Sequence, residues 1–275
     1  MPKQSLVSVT IPTKNSANTI EYCLAAVEEQ DYPNLEIIVI DSHSSDRTLR
    51  IVDSHRVKVV ETDWKLLGAR YLGVIEARGE YVVLVDSDQF LEKGCISRAV
   101  NQALQGEFDM LCLEESSFSR GTVIERLFDA DRKLVNKFHN ENIDPKTGTL
   151  LPRFFKRDLL LNAFSRIPES LLPVVVAHDH AIIYYEASQI SNKVGILRRA
   201  VKHKEPSNLF ELCIKNYNYG SNTKDLIKSG FYTDLVKNKT RFRINMTADF
   251  KLGTQSFLLL LLKGLAYEAG YILRW

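Results

Sequence analysis

Cysteine is scarce here and follows no pattern. The four present, Cys23, Cys95, Cys112 and Cys213, lie far apart with no Cys-x-x-Cys. That spacing excludes a zinc module or a disulfide-stapled scaffold and points to reduced, buried thiols in a cytoplasmic protein. Glycine is missing where a phosphate loop would need it: Ile11-Pro12-Thr13-Lys14-Asn15 has none, which argues against a nucleotidyltransferase. The start, Met1-Pro2-Lys3-Gln4-Ser5, runs straight into an apolar strand, so no signal peptide is expected. There is no internal repeat and no low-complexity linker. No clean apolar run reaches the ~20 residues of a membrane span, because Lys263 stops residues 257–262 and Glu268 breaks the next apolar stretch.

Charge of one sign is also lacking overall, with 36 Lys and Arg against 34 Asp and Glu, but the balance is uneven along the chain. Residues 193–275 hold 15 Lys and Arg against 6 Asp and Glu, a surplus of +9 that leaves the front at −7. A basic tail behind an acidic front suggests an anionic partner for the tail. At 275 residues, 45% hydrophobic and 25% charged, the chain fits one large soluble domain or a domain with an extension.

Residues 1–115 alternate strand and helix patterns. Strands are expected at 7–11, 36–40, 57–60, 81–85 and 109–113. Helices are expected from Ser16 or Asn18 to about 30, after an Asp46 cap through Leu49, Ile51 and Val52, at 65–78 and at 94–104. Helices between strands mean crossovers and a largely parallel sheet. Beyond it, 122–138 reads as an amphipathic helix on Ile124, Leu127, Phe128, Leu134, Val135 and Phe138. A polar loop at 140–149, a strand at 151–155, a helix at 181–191 and a helix from Ser207 to about 219 complete the pattern.

Chemistry gathers at the strand ends. Asp86-Ser87-Asp88 closes the buried run Tyr81-Val82-Val83-Leu84-Val85. Alternate residues of an extended chain share a side, so both carboxylates can converge on one ligand, in the crevice where open α/β sheets bind small molecules. Paired carboxylates suit Mg2+ or Mn2+ carrying a diphosphate. Pro12-Thr13-Lys14-Asn15 follows the first strand, and Asp41 opens Asp41-Ser42-His43-Ser44-Ser45-Asp46-Arg47-Thr48 after the second. These segments should line the same crevice, with Asp41 placed to accept a hydrogen bond from a base or ribose. Arg70, in the small-residue helix Gly68-Ala69-Arg70 and Gly73, can reach a diphosphate or base.

Taken in order, Val-Thr-Ile-Pro-Thr-Lys-Asn, Ile-Val-Ile-Asp-Ser-His-Ser-Ser-Asp-Arg-Thr, Gly-Ala-Arg with Ala-Arg-Gly-Glu-Tyr, and Val-Leu-Val-Asp-Ser-Asp resemble the pattern of glycosyltransferase family 2. The likeness is close over residues 6–115. It is looser through Arg153-Phe154-Phe155, Ala177-His178-Asp179 and Val201-Lys202-His203 to Gly220. It implies a GT-A fold, an α/β nucleotide-diphospho-sugar-binding domain at 1–220. Residues 1–115 would be its nucleotide-sugar half, 116–220 its acceptor half, and 221–275 a helical, membrane-associating extension. It implies that Pro12, Thr13, Asn15, Asp41, Arg70, Asp86 and Ser87 hold the donor, Asp41 at the base and Asp86 at the ribose or a metal-bound water. Asp88 and His203 would hold Mg2+ or Mn2+, and Asp179 would be the general base. Two positions depart from the pattern, Tyr71 for an Asn and Gln89 for an acidic residue, and His178 replaces the Glu before Asp179.

The implied reaction is an inverting transfer from a UDP- or GDP-linked sugar to a hydroxyl of a lipid-linked or glycan acceptor. Asp88-Gln89-Phe90-Leu91-Glu92-Lys93-Gly94 lacks the Leu-Gln-His-Pro-Pro-like run of polyprenyl-phosphate glycosyl synthases, which argues against a bare lipid phosphate. A non-catalytic nucleotide-sugar-binding module would be expected to have lost Asp88 or Asp179. The terminal helix reads as lying in a membrane interface. Tyr267, Tyr271 and Trp275 would anchor it, with Arg241, Arg243, Lys251 and Arg274 near headgroups; the other reading is a helix packed on the protein's own core or on a second copy of the chain. Nucleic acid is not expected, since the basic residues are dispersed beside leucines. The expected location is cytoplasmic, peripheral on the inner face of the membrane.

Overall fold

The structure, a computed structural model, describes residues 4–138, 143–146, 150–239 and 249–273. Strands β1 (Val7–Thr13), β2 (Leu35–Asp41), β3 (Lys58–Glu61) and β4 (Tyr81–Leu84) are joined through helices α1 (Ile20–Glu28), α2 (Thr48–Val52) and α3 (Leu66–Glu76). They pair in parallel in the order β3-β2-β1-β4. The chain continues through β5 (Gln89–Leu91), α4 (Cys95–Gln105), β6 (Met110–Ser117), α5 (Val123–Phe138), β7 (Pro152–Lys156), α6 (Arg157–Phe164), α7 (Asp179–Ser188) and β8 (Val194–His203). It ends in α8 (Leu209–Lys228), α9 (Thr233–Lys239) and α10 (Phe250–Leu273). The eight-stranded sheet runs β3-β2-β1-β4-β7-β6-β8-β5. β7 and β5 pair antiparallel to their neighbours.

Both faces of the sheet are covered, and this explains the unbroken apolar runs of the central strands. Every residue of β1 is buried. One face packs on Ile20, Leu24 and Val27 of α1 and on Ile96, Ala99 and Val100 of α4. The other packs on Leu67 and Val74 of α3, Leu160 and Phe164 of α6, and Ile182 and Ile183 of α7. Each such fully buried aliphatic or aromatic side chain contributes roughly 1.5–3 kcal/mol. Gly73 lets α3 lie close on β1: a Cβ there would stand 2.9 Å from Thr10 Cβ.

Three elements were not expected: β5, α6 and β8. β8 is hidden in the sequence because its alternation breaks at Arg198 and Arg199. Pairing with β6 shifts register there, between Leu113 and Glu115, and Arg199 takes a φ of 51°. Two helices have other bounds than expected. α7 begins at Asp179 and ends at Ser188. α8 runs on to Lys228 without a break at 220, and Asn208 caps it by accepting from Glu211 N at 2.9 Å.

Helices α5, α8 and α10 form a further layer beside the sheet. Leu127, Phe128, Leu212 and Leu259 make its small core. Ser256 Oγ donates to Asp131 at 2.5 Å. α8 and α10 meet backbone to backbone at two glycines. A Cβ on Gly220 would lie 1.9 Å from Tyr267 O, and one on Gly270 1.9 Å from Tyr217 O. The terminal helix therefore packs one face on its own chain, and Tyr267 sits beside Thr223 of α8. Its opposite face, with Phe257, Leu258, Leu261 and Leu265, is exposed. By length and composition α10 could cross a membrane. Arg241, Arg243, Arg274 and Trp275, and most of the loop at 140–149, fall outside the described residues.

Candidate active site

The C-terminal ends of β1, β2 and β4 open on one cleft of about 770 Å³, within the usual range for small-molecule sites. A larger open groove, about 1180 Å³, lies at the opposite end of the sheet between Arg78 and Lys193 and holds none of the predicted residues. Of the predicted residues, Pro12, Thr13, Arg70, Asp86, Ser87, Asp88, Asp179 and His203 line the cleft together.

Asn15 and Asp41 are placed differently. Asn15, at a φ of 52°, turns its amide to the next loop and accepts from Ser45 N at 2.8 Å. Asp41 is fully buried behind the wall. Its carboxylate accepts from Thr13 Oγ1 at 2.8 Å, Ser44 Oγ at 2.6 Å and Ser44 N at 2.8 Å. Both residues lace the loops after β1 and β2 together. The same lacing continues where Asp46 accepts from Ala17 N and Thr48 N.

The two carboxylates of Asp86-Ser87-Asp88 serve different neighbours. A tight turn at the end of β4 separates them. In it Gln89 N donates to Asp86 O, and Asp86 N donates to Gln89 Oε1. Gln89 thus closes the turn, and its amide nitrogen donates onward to Glu115 at 2.9 Å. Asp86 is held by two arginines, Arg70 at Oδ1 and Arg153 at Oδ2, the latter at 3.0 Å. Burial opposes its ionisation, yet Arg70 and Arg153 hold its carboxyl well below the usual range. Asp88 faces the other way. Its Oδ2 meets His203 Nε2 at 3.2 Å and Lys215 Nζ at 3.4 Å. Ser87 Oγ shares a hydrogen bond of 2.8 Å with Ser16.

Asp179 is the first residue of α7, after His178 in the left-handed region at a φ of 68°. Arg70 Nε donates to its Oδ2 at 2.5 Å. Arg70 itself is 1% exposed and so bridges Asp86 and Asp179 from within the wall. Burial raises the Asp179 pKa, but the Arg70 guanidinium more than offsets this and keeps it ionised. His180 is buried, accepts at Nε2 from Arg153 at 2.8 Å, and is pushed down to about 4 by burial and the two arginines. It is neutral at pH 7.

His203 ends β8, and its ring is fixed from behind. Nδ1 faces Glu115 at 3.1 Å and Glu205 at 3.7 Å, both of which also hold Arg132. Burial disfavours its charge, but Glu205 and Asp88 raise it to about 10. Nε2 is left facing Asp88. Two buried nitrogens on residues that line the cleft, Arg70 Nη1 and His180 Nδ1, have no hydrogen-bond partner among the described residues. Buried polar atoms are usually satisfied, so these two are exceptions within the cleft wall.

Sequence reasoning missed Lys215, gave Arg153 no role and passed over Trp64. Arg153 could have been noticed as an arginine inside the apolar strand Pro152-Arg153-Phe154-Phe155. Trp64 lines the cleft with its ring stacked on Tyr71, centroids 6.3 Å apart, and Tyr71 leans in turn on Phe164. The departure at Tyr71 is thus a packing residue. Nothing in the sequence near Lys215 marks it; α8 simply delivers it to the cleft.

Among the described residues, no three His, Cys, Asp or Glu side chains gather as a metal cage. Asp88 and His203 nevertheless stand close enough to share one ion, which would replace their 3.2 Å ion pair and require His203 Nε2 to give up its proton. Mg2+ is commonly held by one or two protein ligands together with substrate phosphates, so the pair fits a divalent ion that comes with a diphosphate.

Residues 8–156 match the sequence profile described as "Glycosyl transferase family 2". The poly(ribitol-phosphate) beta-N-acetylglucosaminyltransferase TarS of Staphylococcus aureus is 31% identical over 173 residues, 60% of this chain and 30% of that protein. The GalNAc(5)-diNAcBac-PP-undecaprenol beta-1,3-glucosyltransferase of Campylobacter jejuni is 34% identical over 158 residues, 51% of this chain and 50% of that protein. The matches thus span half or less of these relatives' own lengths. In solved structures, TarS 1-349 in complex with UDP-GlcNAc superposes with a TM-score of 0.58 at 18% identity, covering 95% of this chain and 81% of that one. The mannosyltransferase PcManGT of Pyrobaculum calidifontis, in complex with GDP-Man and Mn2+, gives 0.56 at 19%, covering 96% and 76%. These likenesses show the GT-A fold that the motifs implied. With the profile covering more than half of its length, the chain belongs to glycosyl transferase family 2.

Proposed function

We propose that this chain transfers a sugar, with inversion, from a nucleoside-diphosphate sugar to a hydroxyl of a lipid-linked or glycan acceptor. The observation that carries the reading is the cleft itself. Asp88 and His203 stand at one side and the Arg70–Asp179 pair at another. The S. aureus neighbour was solved with UDP-GlcNAc and the P. calidifontis neighbour with GDP-Man and Mn2+, which supports a nucleotide-sugar donor. The C. jejuni relative is named for a PP-undecaprenol substrate, which supports a lipid-linked acceptor.

Pro12, Thr13 and Ser87 form the wall for the nucleoside, with Asn15 and Asp41 fixing that wall from behind. Trp64 offers a flat ring to a base. Arg70 contributes its charge to the donor site from within the wall, and Asp86, clamped by two arginines, faces the ribose. Asp88 and His203 would hold Mg2+ or Mn2+, which when bound offsets the charge that develops on the leaving nucleoside diphosphate. The Asp179 carboxylate takes the proton from the acceptor hydroxyl as that oxygen attacks the anomeric carbon. General-base help is typically worth ~10²–10⁴ in rate. Arg70 guarantees that Asp179 is ionised at neutral pH. The Asp179→Asn variant tests the assignment: turnover should fall by about that factor while donor affinity is kept. Unchanged turnover would remove Asp179 from the reaction.

The exposed apolar face of α10 supports a membrane-bound acceptor. Phe257, Leu258, Leu261 and Leu265 form one stripe at helical spacing, facing away from α5 and α8, beside the basic tail. This is the amphipathic form that lies in a membrane interface. Flotation with anionic vesicles should carry the wild-type chain and leave Leu261→Glu/Leu265→Glu behind. Equal behaviour of the two would exclude this surface.

A further inference from the structure

The cations around the cleft differ in how firmly they are held. Arg70 is wedged between Asp86 and Asp179, Arg153 between Asp86 and Glu115, and the His203 ring is backed by Glu115. Lys215 is held by much less. It projects from α8 into the cleft, and among the described residues its ammonium forms its ion pair with one carboxylate, that of Asp88, at 3.4 Å. A tight charge-assisted bond measures about 2.7–2.9 Å. The side chain is 34% exposed, and a lysine stem turns freely about its four carbons.

Lys215 and His203 approach the same Asp88 oxygen, Oδ2. A divalent ion binding at Asp88 would bring two more positive charges to that oxygen. The imidazole is held at Nδ1 by Glu115, Glu205 and Arg132, whereas the lysine can swing away. The phosphates of a nucleoside diphosphate bound at Asp88 would lie within its reach. We propose that Lys215 is the mobile cation of the donor site: it neutralises Asp88 while the cleft is empty, then turns its charge onto the donor's diphosphate. Its ammonium would add to the stabilisation of the leaving group, as a point charge placed where negative charge grows. This inference rests on the donor-site reading above.

The test uses the full chain and two neutral variants, Lys215→Met and Lys215→Gln. Calorimetry measures binding of UDP, GDP, the matching monophosphates and the nucleosides with Mn2+, and electron paramagnetic resonance measures Mn2+ binding alone. For the diphosphate that binds the wild type, both variants should lose roughly tenfold to a hundredfold in affinity, the usual scale for one hydrogen bond to a charged group. The monophosphate should lose less and the nucleoside nothing. Mn2+ alone should bind at least as tightly as to wild type, because a competing charge has gone. If the wild type binds no nucleoside diphosphate, the donor site and the role of Lys215 both fail. If it binds one and the variants match it, Lys215 alone is wrong. An equal loss for nucleoside, diphosphate and Mn2+ would make Lys215 a structural residue and overturn the proposal.

Discussion

Arg70 should be coupled to Asp179 in stability as well as in the site. The guanidinium is 1% exposed, and it donates to Asp179 through Nε and to Asp86 through Nη2. Removing one partner of a buried ion pair typically costs about 3–5 kcal/mol, because the other charge is left unpaired. The two carboxylates would not suffer alike. Asp86 is 24% exposed at its side chain and would keep Arg153 at 3.0 Å. Asp179 is 11% exposed and pairs with Arg70 alone among the described residues. Most of the penalty therefore falls on Asp179. Arg70→Met should cost about 3–5 kcal/mol, and Asp179→Asn about 1–3 kcal/mol for its lost hydrogen bond and charge. The double variant strands no charge at position 179, so its cost should fall short of the sum by about 1–3 kcal/mol. Urea unfolding of the four proteins measures this, provided their m-values agree. Additivity to within about 0.5 kcal/mol, or a cost below about 1 kcal/mol for Arg70→Met, would refute the pairing and with it the reason Asp179 stays ionised.

Three further outcomes are expected from the geometry. Gly270→Val places side-chain carbon where Tyr217 O lies, 1.9 Å from the ideal Cβ; it should cost about 1–3 kcal/mol and expose α10 to protease, and wild-type resistance would contradict the helix contact. Asp41→Ala leaves Thr13 Oγ1, Ser44 Oγ and Ser44 N without their acceptor; it should lower stability by about 1–3 kcal/mol and weaken donor binding through the loosened wall. His180 titrates at about 4 in the folded chain against an ordinary 6.5, so the unfolded chain binds the extra proton between those values. Stability should then rise with pH from about 4 to 6.5 by a few kcal/mol, in a titration of unfolding free energy that His180→Gln flattens; an unchanged slope in the variant would place the titration elsewhere.

The parallel half of the sheet was legible because β1, β2 and β4 are largely buried and read as apolar runs, with only the edge strand β3 left partly exposed. The cleft was legible for the same reason, since β1, β2 and β4 each deliver a polar segment at one edge. Side-chain direction was not. Asp41 and Asp86 look alike in sequence, each an aspartate after a buried strand. One is sealed behind Thr13 and Ser44, and the other is gripped by Arg70 and Arg153. That distinction depends on Arg153, which lies 67 residues beyond Asp86 and pairs through β7. β8 escaped notice because a register shift disguised its alternation. Lys215 escaped notice because a lysine on an amphipathic helix ordinarily faces water. The terminal helix was read from its composition as interfacial; its inward face depends on Gly220 and Gly270, whose spacing is meaningful only once α8 is known to lie beside it.

Thermal unfolding with nucleoside diphosphates and their sugars, each with and without Mn2+, tests the central claim most directly. A ligand at a hundred times its Kd stabilises the folded chain by about 2.7 kcal/mol, which for a domain of this size raises Tm by roughly 5 to 10 °C. The account predicts such a rise for at least one UDP- or GDP-linked compound, larger with Mn2+ than without, and lost in Asp88→Asn. No shift with any nucleotide, or a shift indifferent to both Mn2+ and Asp88, would contradict it.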